Sequence, residues 1–251
     1  MRVMWLALAM LVAVSTLAVA AAPDESSRAG VLVLGDSNSE GPFGGAVYDA
    51  LRAMRDPVSG EPLNVMIYAK CGAGANDWVE RDAAKIDCGA WQCADGRTAG
   101  SCLHFRDGYI PPLADLYARL GAKRRVTILV LGLNMIIGKW SSKMRDAEAL
   151  IDAVHAQGSA CIWVGPPQPG TRFVSADTYA RFLVRLRQTV TANGCRYIAS
   201  DDKTDRNDLG GDTKEDHYPA FEARQWARQV IAELNRPQGG GKALREMLAA
   251  P

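Results

Sequence analysis

Residues Val31 to Ser39 read Val-Leu-Val-Leu-Gly-Asp-Ser-Asn-Ser, four apolar residues that lead into a glycine and a polar turn. Such an apolar run predicts a β-strand that is buried on both faces, as strands are in a parallel sheet. The turn after it would lie at the carboxyl end of the strand, where parallel α/β sheets bind their ligands. Ser37 in this turn is a candidate nucleophile, and it is equally a candidate N-cap of the next helix.

Further apolar segments of strand length follow, and segments with helical periodicity separate them. The predicted strands span 63–69, 126–131, 160–164 and 195–199. The intervening segments carry apolar residues at i, i+3, i+4 and i+7 spacing, as in the helix predicted over 113–120. This alternation predicts an α/β three-layer sandwich, in which a five-stranded parallel sheet has helices on both faces.

The composition suits one globular domain with a sizeable core. The chain has 251 residues, of which 48% are hydrophobic and 23% are charged. A net charge of +1 does not indicate nucleic acid or an anionic membrane as a partner. We predict a single domain over 28–236, with a loop-rich insertion at about 71–110. Residues 237–251 look like a flexible tail, in which 243–248 could form a short helix.

The amino terminus has the pattern of a secretory signal peptide. Met1-Arg2 precedes an apolar stretch that ends in an Ala-x-Ala sequence, which predicts a signal peptide over 1–20. Cleavage after Ala22 is an alternative, but it would leave Pro23 directly after the cut. A retained membrane anchor is the other interpretation. The preferred interpretation is an exported protein, periplasmic or extracellular, with no membrane insertion after cleavage.

The six cysteines predict disulfide bonds, because an even count in an exported chain fits disulfides better than a metal site. They are Cys71, Cys88, Cys93, Cys102, Cys161 and Cys195. Four of them fall in the insertion, which they would staple, and the last two each open a predicted strand and could pair if those strands are neighbours. Cys88 and Cys93 have no matching pair for zinc, so no metal is predicted. His104, Trp78 and Trp91 in the same insertion are interpreted as structural.

Candidate catalytic residues follow four of the predicted strands. Ser37 follows the first, Gly72 or Gly74 the second, Asn134 the third and His217 the fifth. Acyl transfer needs a nucleophile, a base that takes its proton, and hydrogen-bond donors for the oxyanion. His217 would accept the proton of Ser37, and the Ser37 N–H, a glycine N–H and the Asn134 amide could form the oxyanion hole. No dinucleotide or phosphate-loop pattern is present, so no cofactor is predicted.

These motifs resemble those of the SGNH hydrolases, also called GDSL hydrolases. Gly35-Asp36-Ser37 looks like their first block, with Asn38 where a leucine is usual, and Gly132-Leu133-Asn134 looks like their third. His217, before a C-terminal helix, looks like their last block. The resemblance covers about 30–235. It implies a flavodoxin-like sandwich and a serine esterase that removes acyl groups, often acetyl, from carbohydrate or lipid esters.

The acid behind His217 is the point at which the chain departs from this family. The family usually has Asp-x-x-His, but the residue three before His217 is Lys214. Asp212 is the first candidate for the acid, if the turn carries an insertion, and Glu215 and Asp216 come next. A dyad in which a backbone carbonyl orients the histidine is a further alternative.

The favoured function is an exported serine esterase with a small-molecule or polysaccharide ester as substrate. Ser37 would attack, an acyl-enzyme would form, and water activated by His217 would release the acyl group. The predicted substrates of such an exported enzyme are O-acetyl esters of carbohydrate or cell-wall glycan. Two alternatives are an O-acyltransferase that uses the same site, and a non-enzymatic glycan-binding module on a decayed hydrolase fold, which Lys214 would favour.

Overall fold

A computed structural model describes residues 28–79, 85–94, 101–170, 173–200, 217–236 and 243–250. The predicted signal peptide over 1–20 and the acid candidates Asp212, Glu215 and Asp216 lie outside these residues. The strands are β1 (Gly30–Gly35), β2 (Asn64–Lys70), β3 (Ala90–Cys93), β4 (Leu103–Phe105), β5 (Arg125–Val130), β6 (Ser159–Val164) and β7 (Arg196–Ile198). They form one sheet in the order β4-β3-β2-β1-β5-β6-β7.

The predicted parallel core is confirmed. Strand β1 pairs in parallel with β2 and β5, β5 pairs with β6, and β6 pairs with β7. Counted among the parallel strands alone, the order is 2-1-3-4-5, which is the flavodoxin-like arrangement. Ligands bind such sheets at the carboxyl ends of the strands, where the chain reverses direction across the sheet. The turn after β1 lies at that place.

The predicted count of five strands is wrong for the whole sheet. Strands β3 and β4 come from the insertion and extend the sheet with antiparallel pairing beyond β2. The edge of β2 is thereby covered, since β3 takes up its free backbone groups. Strands of four and three residues are too short to show a period of their own, and tertiary pairing forms them.

Helices cover both faces of the sheet and enclose two hydrophobic layers. They are α1 (Gly41–Ala53), α2 (Leu113–Leu120), α3 (Leu133–Ile136), α4 (Trp140–Ala156), α5 (Ala176–Ala192), α6 (Ala220–Leu234) and α7 (Leu244–Ala249). Leu32 and Leu34 of β1 pack in the layer of α2, α4 and α5. Val31 and Val33 pack in the layer of α1, α6 and α7. Strand β1 is therefore buried on both faces, as its apolar run predicts.

The carboxyl-terminal segment differs from the predicted flexible tail. Its last part forms helix α7, in agreement with the short helix considered over 243–248. Leu244 and Leu248 of α7 are fully buried against the core. The Arg124 guanidinium also donates to the Leu248 carbonyl at 2.7 Å. The predicted domain over 28–236 consequently extends to include α7.

Disulfide bonds staple the insertion and the far side of the sheet. Cys71 pairs with Cys88 and Cys93 pairs with Cys102, both within the insertion. Cys161 pairs with Cys195 across the neighbouring strands β6 and β7, so that predicted pairing is confirmed. In the part of the chain that the structure describes, no helix has the length and apolar character needed to cross a membrane.

Candidate active site

The turn that carries Ser37 is capped by its neighbour and not by Ser37. Residues Ser37–Ser39 form a short 3₁₀ turn directly after β1, and the carboxylate of Asp36 accepts a hydrogen bond from the Asn38 N–H at 2.9 Å. Helix α1 begins with Glu40 at its N-cap, without a side-chain hydrogen bond. The alternative prediction that Ser37 is an N-cap is therefore wrong. Its half-buried hydroxyl has no hydrogen-bond partner among the described residues.

Ser39 explains why glycine precedes and follows this turn. Ser39 is completely buried, and its hydroxyl donates to the Val130 carbonyl at the end of β5 at 3.4 Å. A Cβ on Gly35 would collide with the Ser39 side chain. A Cβ on Gly44 would collide with the Ser39 carbonyl and would also lie 2.7 Å from the ring of Trp91. The two glycines thus let the turn pack tightly against the sheet, which fixes the position of Ser37.

The turn after β2 contains the two candidate glycines, and their amides differ. The Gly74 N–H donates to Asp77 Oδ2 at 2.8 Å, so it is already engaged. Gly72 is exposed and has a φ of +74°, a left-handed conformation that favours glycine. Its N–H has no hydrogen-bond partner in the described part of the chain. Gly72 is accordingly the better candidate of the two as an oxyanion donor.

Asn134 lies beside this turn, in the short helix α3 that follows β5. Gly132, which precedes the helix, has a φ of +153°, and a Cβ there would lie 2.6 Å from Cδ of Pro166. The Asn134 Nδ2 donates to the Ala73 carbonyl at 3.1 Å. A side-chain amide has two N–H donors, so the second one stays available for an oxyanion.

Tyr218, the residue that follows His217, anchors this part of the chain. The Tyr218 hydroxyl donates to the Gln168 carbonyl at 2.6 Å, just before α6 begins. Helix α6 packs against α1, with the rings of Phe43 and Trp226 stacked at 3.8 Å. The Tyr218 ring lies 6.4 Å from that of Trp226, so the exposed His217, one residue earlier, lies near the start of α1 and the Ser37 turn that precedes it.

Glu40 is a site residue that the sequence analysis missed. Burial raises the pKa of its carboxyl group, and the charge of His217 and the backbone N–H of Cys71 oppose that rise in part. Glu40 is thus near both His217 and Cys71, the residue that follows β2. Its Oε1 atom is buried and has no hydrogen-bond partner among the described residues. The signal was available, since Glu40 follows Ser37 by three residues and a 3₁₀ turn brings i and i+3 to one side.

The remaining residues considered in the sequence are His104, which lies away from the Ser37 turn, and the three acid candidates. His104 is exposed on β4, which two further strands separate from β1, and its ring lies 6.4 Å from that of Trp91. Asp212, Glu215 and Asp216 lie outside the described residues, so the acid behind His217 stays a prediction. Within the described ranges, no three His, Cys, Asp or Glu side chains are grouped so as to hold a metal ion.

Comparisons with known proteins give similarities of fold. No protein-family model matches the chain, and a search of curated proteins finds no similar sequence. A Slackia heliotrinireducens structure named as an SGNH hydrolase is 14% identical, with a TM-score of 0.48, over 82% of this chain and 98% of that one. A Bacteroides fragilis structure named as an acylhydrolase is 12% identical, with a TM-score of 0.48, over 84% of this chain and 89% of that one. A family two carbohydrate esterase of Cellvibrio japonicus is 16% identical, with a TM-score of 0.44, over 88% of this chain and 61% of that one.

Proposed function

We propose that this chain is a serine ester hydrolase in which Ser37 is the nucleophile and His217 is the general base. The observation that carries the proposal is the capping of the turn by Asp36, which leaves the Ser37 hydroxyl without a structural partner. A serine that neither caps a helix nor bonds to the core, at the ligand-binding edge of a parallel sheet, is suited to act on a ligand. The hydrogen bond from Asn134 to the Ala73 carbonyl, in the turn after β2, supports a role for Asn134 beside Ser37.

The reaction follows from the roles of these groups. The Ser37 hydroxyl attacks the ester carbonyl while His217 takes its proton, and the carbonyl oxygen becomes an oxyanion. The Ser37 N–H, the Gly72 N–H and the second N–H of Asn134 are the donors for that oxyanion. His217 then gives its proton to the leaving alcohol, and an acyl-enzyme remains. Water activated by His217 releases the acid and restores Ser37.

Asp212 is the proposed acid that orients His217, with Glu215 and Asp216 as the next candidates. A carboxylate behind the ring holds the correct tautomer and stabilises the imidazolium that forms during attack. Glu40 supplies a further negative charge near the ring, from the side of the Ser37 turn. The histidine would then be influenced by carboxylates from two separate segments.

The proposed substrate is an O-acetyl ester of a carbohydrate or cell-wall glycan, met outside the cytoplasm. Three disulfides in the described chain and the predicted leader over 1–20 favour export to an oxidising compartment. Glycan esters are among the acyl esters that an exported enzyme meets there. An O-acyltransferase would use the same residues but pass the acyl group to a sugar hydroxyl, and product analysis with an added glycan distinguishes the two.

The experiment that tests the proposal compares Ser37→Ala with Ser142→Ala, a serine variant in α4 as the matched control. We expect Ser37→Ala to lower kcat for p-nitrophenyl acetate by at least about 10³-fold, because the nucleophile is removed. The control should retain the activity of the unmodified chain. Full activity of Ser37→Ala would refute the assignment. Binding of an acetylated glycan by a chain without any hydrolysis would instead favour the glycan-binding module.

A further inference from the structure

A buried ion pair lies at the end of β2, next to the candidate oxyanion hole. Lys70 is the last residue of the strand and is only 5% exposed. Its Nζ atom lies 3.0 Å from Oδ1 of Asp77. A buried lysine is costly unless its charge is paired and hydrogen-bonded, and even a paired lysine adds little to stability, because both charges lose their hydration. A buried ion pair at this position therefore suggests a role other than stability.

The same carboxylate also holds the turn that follows the strand. Asp77 Oδ2 accepts the Gly74 N–H at 2.8 Å, while Oδ1 receives the Lys70 ammonium group. The Ala73 N–H donates to the Lys70 carbonyl at 3.1 Å. The end of β2 and the turn are thus tied together by both the side chain and the main chain of Lys70.

One peptide group connects this ion pair to Asn134. The carbonyl of Ala73 and the N–H of Gly74 belong to the same peptide bond, and in a planar trans peptide they point in opposite directions. Asn134 Nδ2 donates to the carbonyl side, and Asp77 accepts from the N–H side. A rotation of this peptide plane would break both hydrogen bonds, so Asp77 fixes the acceptor that orients the Asn134 amide.

We propose that Lys70 and Asp77 are positioning residues of the oxyanion hole, which act through the Ala73–Gly74 peptide on the side-chain amide of Asn134. The inference rests on the proposed esterase function and assigns neither residue a contact with substrate. Lys70 fixes the Asp77 carboxylate, Asp77 fixes the peptide, and the peptide carbonyl directs the second Asn134 N–H to the oxyanion. Displacement of such a donor affects the transition state more than substrate binding.

The effect expected from the loss of Asp77 is a fall in kcat with little change in KM. Complete removal of an oxyanion donor costs about 10²- to 10³-fold in kcat. Asp77→Ala leaves Asn134 in place but unfixed, so we expect a loss of about 10- to 100-fold in kcat, with KM within about threefold. A tetrahedral mimic that needs the same donor, phenylboronic acid, should bind more weakly by a similar factor.

A double variant serves as the rescue. Lys70→Met combined with Asp77→Asn removes both charges but keeps an oxygen that can accept the Gly74 N–H. This variant leaves no unpaired buried charge, and it should recover most of the kcat that Asp77→Ala loses. A purely electrostatic action of Lys70 on the substrate would give no recovery, because this variant removes the ammonium group that Asp77→Ala retains.

The decisive experiment is a double-mutant cycle between Asp77→Ala and Asn134→Ala, with kcat for p-nitrophenyl acetate and the melting temperature measured for each chain. If Asp77 acts through Asn134, its substitution should change kcat by less than about twofold once Asn134 is already alanine. Equal losses in both backgrounds would overturn the proposal. So would a single Asp77→Ala variant that melts earlier but keeps its kcat, or one that changes KM alone.

Failure of the esterase assignment would look different from failure of this inference. The unmodified chain would then neither hydrolyse p-nitrophenyl acetate nor react with a fluorophosphonate at Ser37. If the unmodified chain does both and Asp77→Ala keeps the same kcat, the esterase assignment stands and the positioning role is wrong. If Asp77→Ala does not fold, the cycle is run with Asp77→Asn: a loss of kcat that disappears in the Asn134→Ala background supports the inference, and an equal loss in both backgrounds opposes it.

Discussion

Two ion pairs with buried side chains lie at opposite edges of the sheet, and they serve different neighbours. At the amino-terminal edge, the Arg124 guanidinium holds the Asp56 carboxylate through two hydrogen bonds of 2.9 Å and 2.6 Å, and it also binds the Leu248 carbonyl. At the carboxyl-terminal edge, Lys70 makes a single 3.0 Å contact with Asp77. The first pair ties α7 to the sheet, whereas the second ties down a turn beside the candidate nucleophile.

The two edges also differ in how completely their polar atoms are satisfied. Asp56 additionally accepts hydrogen bonds from the Ala29 N–H, the Val58 N–H and the Ser59 hydroxyl. At the other edge, Oε1 of Glu40 is buried without a hydrogen-bond partner among the described residues. A network whose members are all satisfied rigidifies the fold, whereas unsatisfied groups are costly and need a functional explanation.

The pKa shifts of two carboxyl groups reflect the same contrast. Burial opposes the charge of Asp56, but hydrogen bonds from Arg124 and its other donors outweigh burial and hold the pKa of that carboxyl well below its usual range. Burial raises the pKa of Glu40, and the groups near it only partly oppose the rise. A pKa raised by desolvation near a cleft is typical of a functional site, whereas a pKa shifted by an ion-pair network such as that of Asp56 is typical of a structural one.

The largest expected effect is on stability at the amino-terminal edge. Asp56→Ala leaves the Arg124 charge without its partner and should lower the free energy of unfolding by about 3–5 kcal/mol. The kcat of the folded fraction should be unchanged, because this edge is remote from Ser37. Urea unfolding and p-nitrophenyl acetate hydrolysis check the two statements, with the exposed Asp152→Ala as the control. A large fall in kcat of the folded protein would show that the amino-terminal edge also affects catalysis, which contradicts the purely structural role assigned to it.

The opposite outcome is expected for Asn134→Ala at the carboxyl-terminal edge. Loss of an oxyanion donor should lower kcat by about 10²- to 10³-fold and leave KM nearly unchanged. Steady-state kinetics on p-nitrophenyl acetate measures this, and Asn235→Ala at the end of α6 is the matched control. An Asn134→Ala variant with normal kcat would show that this amide is a turn residue only.

Acid pH should abolish the contribution that the charged Asp56 makes to the free energy of unfolding. Because its folded pKa lies below the unfolded value of 3.8, its contribution is fully present well above pH 3.8 and is lost as the pH falls below it. The difference in unfolding free energy between the unmodified chain and Asp56→Asn should therefore narrow from pH 6 toward about pH 2. Urea unfolding across that range measures it. A constant difference would mean that the ion pair is not its source.

The smallest expected effect is that of Glu40→Gln, which should separate stability from activity. A raised carboxyl pKa means that the folded state prefers the protonated form, so stability is lost as the pH rises through the folded pKa. Glutamine removes that cost, and the melting temperature at pH 7 should be equal or slightly higher. The value of kcat/KM should fall by about 2- to 10-fold, because a charge that stabilises the imidazolium of His217 is lost.

Unchanged kcat/KM in Glu40→Gln would show that the carboxylate does not assist His217. The control is Glu148→Gln in α4, which should change neither the melting temperature nor kcat/KM. The melting temperature and kcat/KM together would show whether Glu40 has a structural or a functional role.

The parallel core could be predicted from the sequence because its strands are buried on both faces and have long apolar runs. Strands β3 and β4 could not, since Ala-Trp-Gln-Cys and Leu-His-Phe have no period and acquire their pairing from β2 and from the disulfides. The sequence leaves helix α7 undecided for a related reason. Its six residues are too few to be stable alone, and a hydrogen bond from Arg124, far away in sequence, helps to hold it.

The candidate site shows the same division between local and long-range signals. Ser37 and Asn134 directly follow parallel strands, so their position at the carboxyl-terminal edge can be predicted from the strand–helix alternation. His217 does not directly follow a strand, and its position depends on the packing of Tyr218 and α6. The Lys70–Asp77 pair and the role of Glu40 depend on contacts between turns that no single segment encodes. The choice between Gly72 and Gly74 also depends on such a contact, since Asp77 engages only the second amide.

The most direct test of the account is covalent labelling of the serine at the carboxyl-terminal edge. The unmodified chain is treated with a fluorophosphonate, digested and analysed by mass spectrometry, with Ser37→Ala and Ser142→Ala as companions. We expect stoichiometric phosphonylation at Ser37 in the unmodified chain and in Ser142→Ala, together with loss of p-nitrophenyl acetate hydrolysis. Ser37→Ala should take up no label. Equal labelling of Ser37→Ala, or an unlabelled Ser37 in a chain that still hydrolyses the ester, would contradict the account.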